Sequence, residues 1–200
     1  MEKNHPEFEK AEEFILSKLE NELSPTLFYH NTQHTLDVLD ASIKIAHAEK
    51  IPAEAIKLLR VAVLFHDAGF IHVYKNHEER GCELVMEYLP GFHFTQEQVE
   101  LICGMIMATK IPQNPQNLLE EIIADADLDY LGRDDVYTIA GYLYDELKIH
   151  VKKMSEEEWL RFQVNFLKHH HYYTGYSKKL REPKQQSYME ALVKEIQARQ

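Results

Sequence analysis

The sequence predicts an all-α protein, a single-domain helical bundle spanning residues 1–200. Apolar residues recur at spacings of three and four in segment after segment, the period of a helix lying on a core. Alternation with period two never runs long enough for a strand. Two stretches open with a capping signature, Thr95 with Gln98 three residues on and Ser155 with Glu158 three residues on. No repeat, low-complexity tract or linker divides the chain, and 200 residues suffice to bury a core without staples.

Residues 6–22 place Phe8, Ala11, Phe14, Ile15, Lys18 and Leu19 on one face of a first helix that ends near Ser24-Pro25. Tyr29 to Leu39 begins as a loop and becomes helical, with Leu36, Leu39, Ile43 and Ala46 expected as the buried stripe. A third helix runs from about Pro52 to Phe65, with proline in its first turn, where a missing N–H costs nothing. A loop from Gly69 to Asn76 leads to a helix over His77–Tyr88 that stops at Leu89-Pro90-Gly91. Thr95 caps a helix reaching about Thr109, and a proline-containing loop from Pro112 to Gln116 precedes a helix over Leu118–Leu131. Residues 133–150 set Val136, Ile139, Ala140, Leu143 and Leu147 on one face. The helix capped by Ser155 carries Trp159, Phe162, Phe166 and Leu167, and an aromatic segment around Tyr172-Tyr173 precedes a last helix from about Pro183 to the end.

Composition narrows the function. A net charge of -11 supplies no basic face for a polynucleotide, while a small phosphorylated molecule bound through a metal stays compatible. Cys82 and Cys103, without CxxC spacing, read as reduced core thiols of a cytosolic protein. Met1-Glu2-Lys3-Asn4-His5 leads into charge and not into an apolar leader, and no run approaches the roughly 18–20 apolar residues of a membrane span. The expected setting is cytoplasmic, away from membranes; a homodimer is left open.

The chemistry centres on Val61-Ala62-Val63-Leu64-Phe65-His66-Asp67-Ala68-Gly69-Phe70, where an apolar run delivers an imidazole and a carboxylate side by side before a glycine lets the chain turn. The bland alternative is an ordinary helix end, with His66 as a dipole partner and Asp67 solvated. His34 upstream and Asp127 downstream complete a mixed nitrogen and oxygen set suited to a divalent ion such as Mn, Fe, Co, Zn or Ni, with Mg also admissible. An ion held by three or four such groups keeps open positions and acidifies a bound water enough to make a nucleophile near neutral pH. Asp125 and Asp129 compete with Asp127, since in a helix 125 and 129 share a face while 127 points elsewhere.

His34, then His66-Asp67, then Asp127 resembles the H…HD…D signature of the HD-domain superfamily, an all-helical family of metal-dependent phosphohydrolases and phosphodiesterases. The resemblance covers about residues 29–132 as a signature-bearing core, with the helices of 133–200 expected to pack on it. It implies His34, His66, Asp67 and Asp127 as ligands of one tight ion, and it selects Asp127 over its neighbours, leaving Asp125 as a supporting or capping residue. Tyr29-His30-Asn31 with His34 looks like the YHNxxH segment of cyclic-nucleotide phosphodiesterases, which implies His30 as the general acid, against a structural histidine bonded to a loop carbonyl. Asn76 to Gly81 resembles the segment after the HD pair where a histidine joins a second metal. The paired histidines of two-metal members are absent, with Ala108-Thr109-Lys110 in their region, so Asp67 is free to bridge at most a weaker second ion. His77, Glu78 and Lys110 become candidates to orient water or hold phosphate oxygens, or else solvated helix ends.

The segments around Asp125–Gly132, Tyr144–Leu147 and Phe166–Thr174 look similar to an uncharacterised bacterial group of predicted HD phosphohydrolases. His169-His170-His171 point to different sides of a helix and read as surface or partial packing. Arg133, Lys168, Tyr172, Lys178, Lys179 and Arg181 are a pool from which phosphate contacts could come. The expected function is hydrolysis of a small phosphate ester, a nucleotide or related monoester or diester, by metal-activated water. The alternatives are a non-catalytic metal- and nucleotide-binding regulatory module and a di-iron oxygenase, against which the missing histidine pair speaks.

Overall fold

The computed structural model describes residues 5–199; Met1–Asn4, which open the charged N-terminal stretch, and Gln200, in the expected last helix, lie outside the described residues. Within them the chain forms α1 (Phe8–Glu22), α2 (Thr32–Ala48), α3 (Ala53–Phe65), α4 (His77–Tyr88), α5 (Gln96–Thr109), α6 (Leu118–Asp127), α7 (Val136–His150), α8 (Glu156–His169), α9 (Gly175–Leu180) and α10 (Glu182–Ala198), with no strand among the described residues. Short 3-10 turns follow α3, α4 and α6, at Ala68–Ile71, Leu89–Phe92 and Asp129–Gly132. The fold is all-α, and no described helix is long and apolar enough to cross a membrane.

Helix starts follow local chemistry. Reciprocal capping boxes open α5 (Thr95 with Gln98) and α8 (Ser155 with Glu158). Asn31 and Asn117 cap α2 and α6 through their side-chain oxygens. Pro52 stands at the N-cap of α3, one position outside the turn the sequence suggests.

One hydrophobic core joins α1 to α6, with α3 at its centre: Leu59 and every residue from Val61 to Phe65 are fully buried. The last turns of α3 are apolar on all sides and lie inside, wrapped by α1, α2, α4 and α5, while Glu54, Lys57 and Arg60 keep its first half at the surface. A second cluster gathers Tyr29, Leu128, Tyr130 and Leu131 with residues of α7, α8 and α10.

Three expectations are corrected. The buried stripe of α2 is Thr35, Val38, Ala41, Ser42, Ile45 and Ala46; Ala46 is buried as expected, while Leu36 is exposed and Leu39 and Ile43 only partly covered. His34 heads the face 34-38-41-45 that α2 turns toward α3 and α6, and is carried inward with it. The helix expected over Leu118–Leu131 ends at Asp127, and Asp129 lies in the following 3-10 turn, so the face argument about the three aspartates does not apply. The tail contains the separate short helix α9, capped by Thr174, where the sequence suggested only an aromatic segment.

Candidate metal centre

α3 ends at Phe65, with His66 as its C-cap, which leaves the His66 ring fully buried at the end of the central helix. Its Nδ1–H donates to the Val63 carbonyl at 2.7 Å. That bond fixes the tautomer and turns the Nε2 lone pair inward. The Asn31 cap accepts from the His34 N–H at 3.1 Å and so anchors the first turn that bears the second imidazole. Asp127 arrives as the last residue of α6.

His34 Nε2, His66 Nε2 and a carboxylate oxygen of Asp127 all lie within 4.8 Å of one another. His34 Nε2 is 3.2 Å from Asp127 Oδ1, and His66 Nε2 is 3.6 Å from the same atom. Asp67 joins through Oδ2, 3.2 Å from His66 Nε2 and 3.5 Å from His34 Nε2, while its Oδ1 lies 3.5 Å from His77 Nε2. Ligand atoms about 2.0–2.1 Å from one cation stand about 3.0–3.4 Å apart, so these spacings fit a divalent ion. His66 Nε2 and Asp67 Oδ2 are buried with no hydrogen-bond partner, an arrangement that costs stability unless something binds there. The donor set, the spacing and the two orphaned atoms therefore fit a metal.

Electrostatics agree. Burial alone would lower the His66 pKa, but Asp67 and Asp127 raise it well above its ordinary value. Burial alone would raise the two carboxyls, and the neighbouring imidazoles hold both low instead. The imidazoles and the carboxylates thus favour one another's charged forms across the cluster.

Gly69 brings α4 against this cluster. A Cβ at position 69 would stand 1.9 Å from the His77 carbonyl oxygen, so only glycine lets the α4 N-terminus approach. The His77 ring stacks on Phe70 at 3.9 Å and its Nε2 is 3.6 Å from Glu78 Oε1; burial lowers its pKa. Glu78 is buried beside it.

His30 stands at the same cavity and rests on the other end of the chain. Its Nδ1 is bonded to Glu146 Oε1 of α7, a fully buried carboxylate. The other Glu146 oxygen accepts the backbone N–H groups of Tyr29 at 2.8 Å and His30 at 3.0 Å, and Tyr74 donates its hydroxyl to Oε1 at 2.9 Å. Burial would lower the His30 pKa, but the Glu146 bond and the Asp67 charge outweigh it and raise it. The sequence reading missed Glu146, Tyr74 and Phe70. The signal for Glu146 was a glutamate placed three residues after Leu143 on a core-facing stripe.

Other candidates lie elsewhere. Lys110 is committed to a pair with Glu79, and Arg133 to Asp37 and Asp135. Arg181 pairs with Asp129 at 2.7 Å, Tyr172 is fully buried and donates to the Leu128 carbonyl, and Lys178 donates to the Tyr173 carbonyl. Lys168 and Lys179 are exposed. Asp125 accepts from the Tyr173 and Thr174 N–H groups and the Thr174 hydroxyl, tying α6 to the α9 cap. Of the histidine run, His169 bonds the Asn165 carbonyl, His170 is paired with Gln185, and His171 is exposed.

The centre opens into a cavity of about 280 Å³, lined at one end by Asp67, Asp127, His30, His77 and Glu78 and along its walls by leucines and aromatic residues. The family model of the HD domain matches residues 31–129. A crystal structure of a predicted HD superfamily hydrolase from an uncultured Thermotogales bacterium superposes with a TM-score of 0.61 at 21% identity, over 97% of this chain and 93% of that one. No curated protein sequence matches the chain. With the family's pattern matched over the segment that carries His34, His66, Asp67 and Asp127, and the same fold in a solved member, the chain belongs to the HD-domain superfamily.

Proposed function

We propose that the protein is a metal-dependent phosphohydrolase acting on a small phosphate ester. The observation that carries this reading is the pair of orphaned buried atoms, His66 Nε2 and Asp67 Oδ2, within a carboxylate and imidazole cluster that opens on a cavity shared with His30. The superposed Thermotogales protein, itself described as a predicted HD superfamily hydrolase, supports the hydrolytic class.

His34, His66, Asp67 and Asp127 would hold the ion. When bound, it supplies Lewis acidity toward a phosphoryl oxygen and toward water. The chain's own residues do the rest. Glu146 takes the Nδ1–H of His30, so Nε2 is the nitrogen that carries the transferable proton. The raised pKa favours the protonated ring, and His30 passes this proton to the alcohol oxygen as the P–O bond breaks and water oxygen bonds to phosphorus. His77, with Nε2 3.5 Å from Asp67 Oδ1, and Glu78 beside it would orient the attacking water, one of whose protons passes to His77 Nε2 as the water oxygen bonds to phosphorus. The products are an alcohol and phosphate.

The test is elemental analysis of the protein as isolated, coupled to a screen of phosphomonoesters, phosphodiesters and nucleotides with several added metals. Metal-dependent turnover supports the proposal. One bound ion with no turnover on any ester favours a regulatory module, and two irons per chain favour oxygenase chemistry.

A further inference from the structure

We propose that the apolar chamber beside the metal centre holds the alcohol portion of the substrate, so that the substrate is a phosphate ester of an apolar alcohol and not a nucleotide. This rests on the phosphohydrolase reading and names the substrate class of that same site.

The chamber and the centre are one cavity. His30, which protonates the leaving oxygen, is clamped by Glu146 of α7, and Leu143 and Leu147, three residues before and one after that glutamate, form the adjoining wall. Trp159, Phe166 and Leu167 of α8 form the opposite wall. The leaving group therefore starts at His30 and runs between two apolar helix faces.

What the walls lack is as informative. Among the described residues no lysine or arginine lines the cavity; Lys110, whose chain neighbours Thr109 and Ile111 do line it, pairs with Glu79 at the surface, and Arg133 and Arg181 pair with Asp37 and Asp129. A nucleotide would bring a base edge and ribose hydroxyls that need partners, and further phosphates that need cations. On these walls the polar side chains away from the centre are Tyr29, Thr109, Tyr130, Gln163 and Tyr188, of which the Thr109 hydroxyl donates to the Ile106 carbonyl and the Tyr188 hydroxyl to the Gln163 carbonyl oxygen. A buried base would leave polar groups unpaired, whereas a hydrocarbon leaves none. At about 280 Å³ the space lies just below the roughly 300–1,000 Å³ of small-molecule sites, which suits a compact apolar group.

Trp159 is the single tryptophan of the chain, so its fluorescence reports filling of the chamber without requiring turnover. The protein as isolated is titrated with propyl, butyl, pentyl and hexyl phosphonates, whose P–C bond resists hydrolysis, and with adenosine monophosphate. In parallel, kcat/KM is measured for the matching n-alkyl phosphates and for nucleoside monophosphates. The expected result is a Kd that falls about fourfold per added methylene until the chamber is full, with kcat/KM rising in step. Nucleoside monophosphates fall at least tenfold below the hexyl ester. Leu147→Gln flattens both series while propyl binding persists. A flat series in both measurements, or nucleoside monophosphates bound and cleaved as well as the hexyl compounds, overturns the proposal while leaving the phosphohydrolase reading intact. Chain-length-dependent binding without cleavage of any ester supports the chamber's role and sinks the phosphohydrolase reading instead.

Discussion

Replacing Glu146 with glutamine tests how the two ends of the chain cooperate at the site. The carboxylate holds the His30 Nδ1–H, the N–H groups of Tyr29 and His30 and the Tyr74 hydroxyl. Glutamine keeps an acceptor and the shape but removes the charge. A hydrogen bond to a charged partner contributes about 1.5–3 kcal/mol, so without the charge the His30 pKa should fall back from its raised value. With His30 as general acid, Glu146→Gln moves the alkaline limb of kcat/KM toward acid and lowers activity on that limb, by up to about 10- to 100-fold if the whole charged hydrogen bond is lost, with metal content unchanged. The stability change has its own pH signature. His30 is raised from 6.5 in the folded state, a contribution present below pH 6.5 and lost as pH rises through the raised value; Glu146 is lowered from 4.5, a contribution present above pH 4.5 and lost on acidification. The deficit of the variant in urea unfolding is therefore greatest between these two values. The reasoning is refuted if activity is lost with the alkaline limb unmoved, which would make Glu146 a scaffold only, or if activity and profile both survive.

Asp67→Ala should abolish tight metal binding by elemental analysis together with turnover; a metal-replete, active variant would remove Asp67 from the site. Gly69→Ala should destabilise the fold by at least about 3 kcal/mol in urea and lower activity in whatever fraction folds, because its Cβ meets the His77 carbonyl oxygen at 1.9 Å. A change under 0.5 kcal/mol would contradict the close approach. Burial holds His170 at about 4, below its ordinary 6.5, so its contribution is complete above pH 6.5 and lost as pH falls toward 4. Between pH 7 and 5 the loss should be about 1–2 kcal/mol, and His170→Gln should lack it; identical pH slopes in the two proteins would exclude the group.

Much of the secondary structure was legible in the chain because its signals are local. The α4 boundaries follow from His77 to Tyr88 and the Leu89-Pro90-Gly91 stop, and the capping boxes of α5 and α8 consist of residues three apart. The apolar approach from Val61 to Phe65 marks a helix end buried on every side, and with it the burial of His66. The pattern of His34, His66-Asp67 and Asp127 proposed a set of ligands, but spacing carries no distance. Only the packing of α2, α3 and α6 brings their nitrogen and oxygen atoms within 4.8 Å for His34, His66 and Asp127.

Where sequence reading failed, the deciding contact was long-range. Leu36 is more apolar than Thr35, yet Thr35 is buried, because the register of α2 is set by partners on α3 and α6 and not by its own composition. The end of α6 at Asp127 and the pairing of Asp129 with Arg181 depend on the C-terminal helices. Glu146 lies 116 residues from His30. By itself the sequence determined the helices and the residue types able to bind a metal, since periodicity, caps and donor chemistry act over a few residues. Tertiary structure alone decided which carboxylate supports His30, which cations are spent elsewhere and what walls face the centre, since a charge buried in one segment can be satisfied by a partner anywhere in the chain.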